Sequence, residues 1–179
     1  MKSLWMAYRA ERWYIMNSKQ ITLMSLLTAV SLVLSAIESL IPPPFPIPGI
    51  KLGLANIITV YAMFTLGAKP TLMILLTRIT LGGLFTGRVV SVLYSLTGGL
   101  FCYVIMFVVY RKLNNNYIWV CSILAAIFHN LGQIIIALII TQTKAILVYL
   151  PFLMLSGILT GLAIGIIAQL IVNRLPHPR

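Results

Sequence analysis

Residues 118–141 read IWVCSILAAIFHNLGQIIIALIIT, a run with no Asp, Glu, Lys or Arg. About 20 apolar residues at 1.5 Å each cross the hydrocarbon of a bilayer. This stretch is long enough, and backbone groups surrounded by lipid must pair within their own segment, so it reads as a membrane helix. Working outward, further apolar runs fall at about 20–41, 50–68, 71–86, 89–110 and 146–172. Five of the six runs are long enough to span. The run 71–86 is short and carries Arg78 at its centre, which predicts a tilted, broken or re-entrant helix. The expected fold is an all-α integral membrane protein, a single bundle of six transmembrane helices over 20–173, followed by a tail at 174–179.

The composition agrees. Of 179 residues, 60% are hydrophobic and 8% charged, too few charges to cover a soluble surface. This excludes a soluble enzyme, a disordered tail and a DNA-binding module. The net charge is +11. An even number of spans puts both termini on one face with Lys2, Arg9, Arg12, Lys19, Lys69, Arg111, Lys112, Arg174 and Arg179, and leaves Lys51, Arg88 and Lys144 on the other. That bias places both termini in the cytoplasm of a multi-pass cell-membrane protein. The cations therefore read as topology signals. Aromatics interleaved with a basic groove are missing, so no nucleic-acid partner is expected.

Residues 1–19 form a basic lead-in with four of the thirteen cations and two of the three tryptophans. It reads as an interfacial helix, or as an extension ahead of a start at Met16, and carries no assigned function. Residues 42–49, Pro-Pro-Pro-Phe-Pro-Ile-Pro-Gly, form a stiff extended connection, because proline fixes φ and restrains its neighbour. Small residues recur at four-residue spacing: Gly157, Gly161 and Gly165 late in the chain, Ser31, Ser35 and Ser39 early, and Ser25 with Ala29 on a second stripe. Such stripes let another helix approach closely, within the bundle or on a separate membrane partner.

Few side chains could carry chemistry. The acids are Glu11 and Glu38, with no aspartate. Glu38 is the only acid in the membrane region, and an acid there is expensive unless paired or wet. Its expected partners are Arg78, Arg88 or Lys51, as a structural ion pair or as part of a site. Arg78, mid-span, offers a forked guanidinium to an anionic group. Asn56 lies in the outer half. His129, Asn130 and Gln133 reach mid-bilayer together, with His129 and Gln133 on one helix face. Together Glu38, Lys51, Asn56, Arg78, Arg88, His129, Asn130 and Gln133 predict a substrate-binding pocket open to the outside, whose cation excess suits an anionic or zwitterionic ligand. No His, Cys or acid spacing suggests a metal, and no cofactor is expected. Cys102 and Cys121 read as buried small hydrophobes. Residues 82–89 loosely mimic a phosphate loop but lack its Lys and Ser/Thr.

The segment Ile-Glu-Ser-Leu-Ile-Pro-Pro-Pro-Phe-Pro-Ile-Pro-Gly-Ile-Lys-Leu-Gly-Leu-Ala-Asn-Ile (37–57) is distinctive. With Phe-His-Asn-Leu-Gly-Gln (128–133) and Leu-Pro-Phe-Leu-Met-Leu-Ser-Gly-Ile-Leu-Thr-Gly (150–161), it resembles the Gx transporter family, also labelled heptaprenyl diphosphate synthase component I. The resemblance covers about 20–173. That family is similar to the substrate-binding S components of energy-coupling-factor transporters. The resemblance implies a six-helix bundle with a pocket near the outer face, a transmembrane coupling subunit and two ATPase subunits as partners, and docking through small residues on the first helix, here Ser25 and Ala29. Relatives are associated with flavin-linked extracellular electron transfer and with quinone or isoprenoid metabolism.

Two functions follow as expectations. One is a substrate-binding subunit of a transporter for a small anionic or amphipathic ligand, energised by separate ATPases. The alternative is a non-catalytic membrane accessory in heptaprenyl diphosphate or quinone biosynthesis. Prenyl chain elongation needs Mg²⁺ held by aspartates, which this chain lacks, so it is not expected to be an enzyme. A structural assembly factor for a redox complex is a weaker third reading.

Overall fold

A computed structural model describes residues 18–40, 53–87, 89–112 and 117–174. Lys51, Arg88 and the lead-in through residue 17 lie outside the described residues, as does the proline-rich stretch. The regular elements among the described residues are all helical. They are α1 (Ser18–Leu40), α2 (Asn56–Thr65), α3 (Ala68–Thr86), α4 (Val89–Lys112), α5 (Ile118–Thr141), a 3₁₀ segment (Lys144–Tyr149) and α6 (Leu150–Arg174).

Five helices are long and apolar enough to cross a membrane: α1, α3, α4, α5 and the continuous helical stretch Lys144–Arg174. The expectation for the second and third runs needs correcting. The 71–86 run belongs to a 19-residue helix, α3, of spanning length. The 50–68 run holds only the ten-residue α2, about 15 Å long. Gly67, at φ +90°, ends α2 and starts α3 one residue later. The apolar count treated that break as part of a span because glycine hardly lowers mean hydropathy.

Hydroxyls inside the apolar helices are absorbed locally. Thr28 donates to the Met24 carbonyl at 2.8 Å, Thr71 to Gly67 at 2.7 Å and Thr97 to Leu93 at 2.8 Å. This turns a polar side chain inward on its own helix and leaves the outer surface apolar.

The short α2 is the axis of the core. Seven of its ten residues are buried. Val60, Ala62, Met63 and Phe64 pack with Ile74 of α3, Cys102 and Met106 of α4, Cys121 and Ala125 of α5, and Ala168 of α6. Phe64 meets Tyr110 edge to face at 5.3 Å. This half of the bundle, near the start of α1 and the end of α6, is filled with apolar side chains. At α5's first residue, the Ile118 N–H donates to Gln169 Oε1 of α6 at 3.0 Å.

α5 packs most extensively against α4 and α6. Glycine makes both contacts possible. A Cβ on Gly161 or Gly165 would lie 2.8 Å from Ile123 Cα or 2.5 Å from Trp119 Cα. The glycine stripe of α6 is thus used within the bundle. By contrast, among the described residues α1 packs on α3 and α2 alone to any extent. Ser25 and Ala29 are exposed on α1, and Ser25 donates to the Ile21 carbonyl at 3.0 Å.

A cavity at the end of the bundle opposite the termini

The C-terminal part of α1, the start of α2, the C-terminal part of α3 and the start of α4 gather at one end of the bundle. Between them lies a cavity of about 360 Å³, with α5 contributing His129 and Gln133. A packed apolar core fills the other end, where α1 begins and α6 ends.

Of the predicted site residues, the structure brings five to this cavity: Glu38, Asn56, Arg78, His129 and Gln133. All five are buried, from 1% exposed for Gln133 to 8% for Arg78. Asn130 points elsewhere. Its Nδ2 donates to the Leu153 carbonyl of α6 at 2.6 Å, and it borders a separate void of about 10 Å³. Adjacent helical residues are turned by about 100° from one another, so Asn130 leaves the face that His129 and Gln133 share. Ser35, Ser39, Ser91, Ser95 and Thr86 also line the cavity. Nothing in the sequence marks them as site residues, because hydroxyls in membrane helices commonly bond to their own backbone.

Each charged or polar group is held by a different device. The Glu38 carboxylate accepts a hydrogen bond from the Gly53 backbone N–H. Gly53 has φ +87°, a conformation that suits glycine, and a Cβ there would come within 2.8 Å of Asn56 Nδ2. Asn56 in turn donates its backbone N–H to the Gly53 carbonyl at 2.8 Å. Glu38 thereby ties the end of α1 to the start of α2 and holds Asn56 at the cavity wall. α2 begins at this point, part-way through the bundle, so the partial positive charge of its N-terminus lies beside the cavity.

Gln133 and His129 are positioned by the α4–α5 crossing. A Cβ on Gly98 would lie 3.0 Å from Gln133 Cγ and 3.0 Å from His129 Cε1. Gly98 therefore permits α4 to lie directly over these two side chains. The Gln133 amide makes no hydrogen bond to the described residues, and its Oε1 is buried without a partner. Arg78, buried in the same wall, makes no ion pair or hydrogen bond with any described residue. Burying a cation and an amide in this way costs several kcal/mol by the general scale for such groups, unless something else meets them. A forked guanidinium, an unused amide, an imidazole and a helix N-terminus around one void form a cradle for an anionic or hydrogen-bonding group. Among the described residues no cluster of His, Cys or acids could hold a metal ion.

The family model described as heptaprenyl diphosphate synthase component I matches residues 27–171. The matched region contains every cavity residue named above. No curated protein and no solved structure matches the chain.

Proposed function

The chain belongs to the heptaprenyl diphosphate synthase component I family, and from that premise we propose that it is a membrane-embedded, non-catalytic subunit that binds a small anionic or amphipathic ligand for transport. The observation that carries this reading is the pairing of Arg78 and Gln133: both are buried, both line the cavity, and neither has a bonding partner among the described residues. A purely structural role would have joined them to each other, to Glu38 or to a backbone carbonyl. Asn130 shows that the same helix does so when the role is structural.

In this reading Arg78 binds the negative group of the ligand, and Gln133, His129 and Asn56 supply hydrogen bonds. Lys51 and Arg88 add further positive charge for the same ligand. Glu38 fixes the connection to α2. Six crossings, with the short α2 counted as the second, would place both termini in the cytoplasm and the cavity in the outer half. Likeness to the S components of energy-coupling-factor transporters would supply a coupling subunit and two ATPases, with Ser25 and Ala29 on the open face of α1 as the docking stripe. The test is mass spectrometry of small molecules that co-purify with the detergent-solubilised protein, wild type against Arg78→Ala. Loss of a co-purifying ligand in the variant is expected. Unchanged retention would refute the site.

The family's name favours a second reading, a non-catalytic accessory to a prenyl diphosphate synthase. Pull-down from the same extract separates the two. ATPase subunits are expected under transport, and a soluble aspartate-rich synthase under the accessory role.

A further inference from the structure

The cavity is lined on two sides by α1 and α4, which among the described residues leave a gap between them. Its lining includes Val33 and Ala36 of α1 and Ser91, Val92 and Ser95 of α4, yet α1 does not pack on α4 as it does on α3 and α2. Val33 lies seven residues before the end of α1 and Ser95 six residues after the start of α4, so the gap reaches about 10 Å inward from the helix ends. That depth is within the hydrocarbon layer of a spanning bundle.

Polarity changes along the cavity. The inner lining is Arg78, Asn56, His129 and Gln133, all buried. The outer lining mixes exposed apolar side chains, Val33 and Phe85, with the hydroxyls of Ser39, Thr86 and Ser91, and carries no charged side chain among the described residues. A volume of about 360 Å³ is near the lower end of the ~300–1,000 Å³ of sites for drug-sized ligands. It holds a headgroup and a few carbons. A longer chain must leave through the gap, where apolar side chains and lipid would receive it.

We propose that the ligand is a membrane-borne amphipath, with one phosphate or carboxylate head held at Arg78 and Gln133 and an apolar chain, and that it enters sideways from the bilayer between α1 and α4. This rests on the reading of the Arg78 cavity as a ligand site and adds the route and the chain. Arg78 offers its fork to the head oxygens, and the Gln133 amide gains the partner it lacks.

The test uses the full chain in phosphatidylcholine nanodiscs. Dodecyl phosphate is compared with methyl phosphate, and dodecanoate with acetate, in binding assays. At least one long-chain probe should bind ten-fold or more tightly than its short partner. Arg78→Ala should abolish binding of both members of that pair. Val33→Trp, placed where the side chain faces outward, should bring the preference for the long chain toward unity. An alkyl phosphate or carboxylate with a diazirine in mid-chain should label residues 33–36 and 91–95, and excess unlabelled probe or Arg78→Ala should remove that labelling. This measurement needs no folded tryptophan variant. Equal, Arg78-dependent binding of long and short probes would overturn lateral access and leave the site standing. Labelling of these residues that survives both competition and Arg78→Ala would be ordinary lipid contact and would also overturn it. Absence of Arg78-dependent binding for every probe would sink the site and the route together.

Discussion

Gly132→Ala tests whether the cavity floor depends on one helix crossing. A Cβ at Gly132 would stand 2.9 Å from the Thr97 carbonyl oxygen, 3.0 Å from Gly98 Cα and 3.1 Å from Gly98 N. All three are backbone atoms of α4 and cannot swing aside as a side-chain tip would. Optimal carbon contacts are about 3.5–4.0 Å, so α4 and α5 must part by roughly 0.5–1 Å. Overpacking of this kind costs about 1–3 kcal/mol. At about 2–4 °C per kcal/mol for a chain of this size, melting should fall by about 2–12 °C. The same movement lifts Gly98 away from Gln133 and His129, so ligand affinity should fall as well, since sites tolerate only about 0.5 Å of misplacement. Gly82→Ala is the control: there the nearest atom is Leu32 Cδ2 at 3.7 Å, an ordinary contact. Its melting should stay level or rise, because alanine is the better helix former. Thermal unfolding in detergent, followed by a thiol-independent fluorescence signal, reads both. Gly132→Ala melting with the wild type would refute the close crossing and with it this account of how the floor is held.

Other substitutions separate structural from functional polar groups. Gln133→Leu removes a buried amide that has no partner, so the empty protein should gain about 1–3 kcal/mol while ligand retention is lost; calorimetry or melting together with the co-purification assay checks both halves. Asn130→Ala removes the 2.6 Å bond to Leu153 and should cost about 1–3 kcal/mol with ligand affinity close to wild type, and a large affinity loss at unchanged melting would reverse the assignment. Tags at both termini should be shielded from external protease in intact cells and cleaved in inverted vesicles; cleavage of either tag in intact cells would contradict the six-span arrangement.

The sequence made the membrane helices legible because lipid leaves few choices: a long run without charges is a helix, and the periodicity of its faces hardly matters. What it hid was the length of α2. Asn56–Thr65 is apolar like its neighbours, but its closure by Gly67 is a backbone event that hydropathy does not record. The site was legible through scarcity. Glu38, Arg78, His129 and Gln133 stand out in apolar runs, and the structure brings them to one cavity. Asn130 stands out equally but is turned to Leu153, since composition says a polar group is present and not which way its face points. Ser35, Ser91 and Ser95 were invisible for the opposite reason: serine is too common in membrane helices to mark a site.

The division among these polar groups argues for a ligand more strongly than their number does. In hydrocarbon every polar atom is under pressure to find a partner, and although Ser31 Oγ is also buried without one, it lies outside the cavity lining and is a single small hydroxyl. Glu38 and Asn130 have been satisfied by backbone groups, and each thereby joins two helices. Arg78 and Gln133 have no bonding partner among the described residues. Gln133 occupies the part of the cavity that glycine at 98 brings close to α4, and the N-terminus of the short α2 lends the cavity positive potential. The first pair would be kept for the fold under any function. The second pair adds nothing to the fold, and under the function proposed above a bound head that supplies the missing partners would be the physical reason for keeping it.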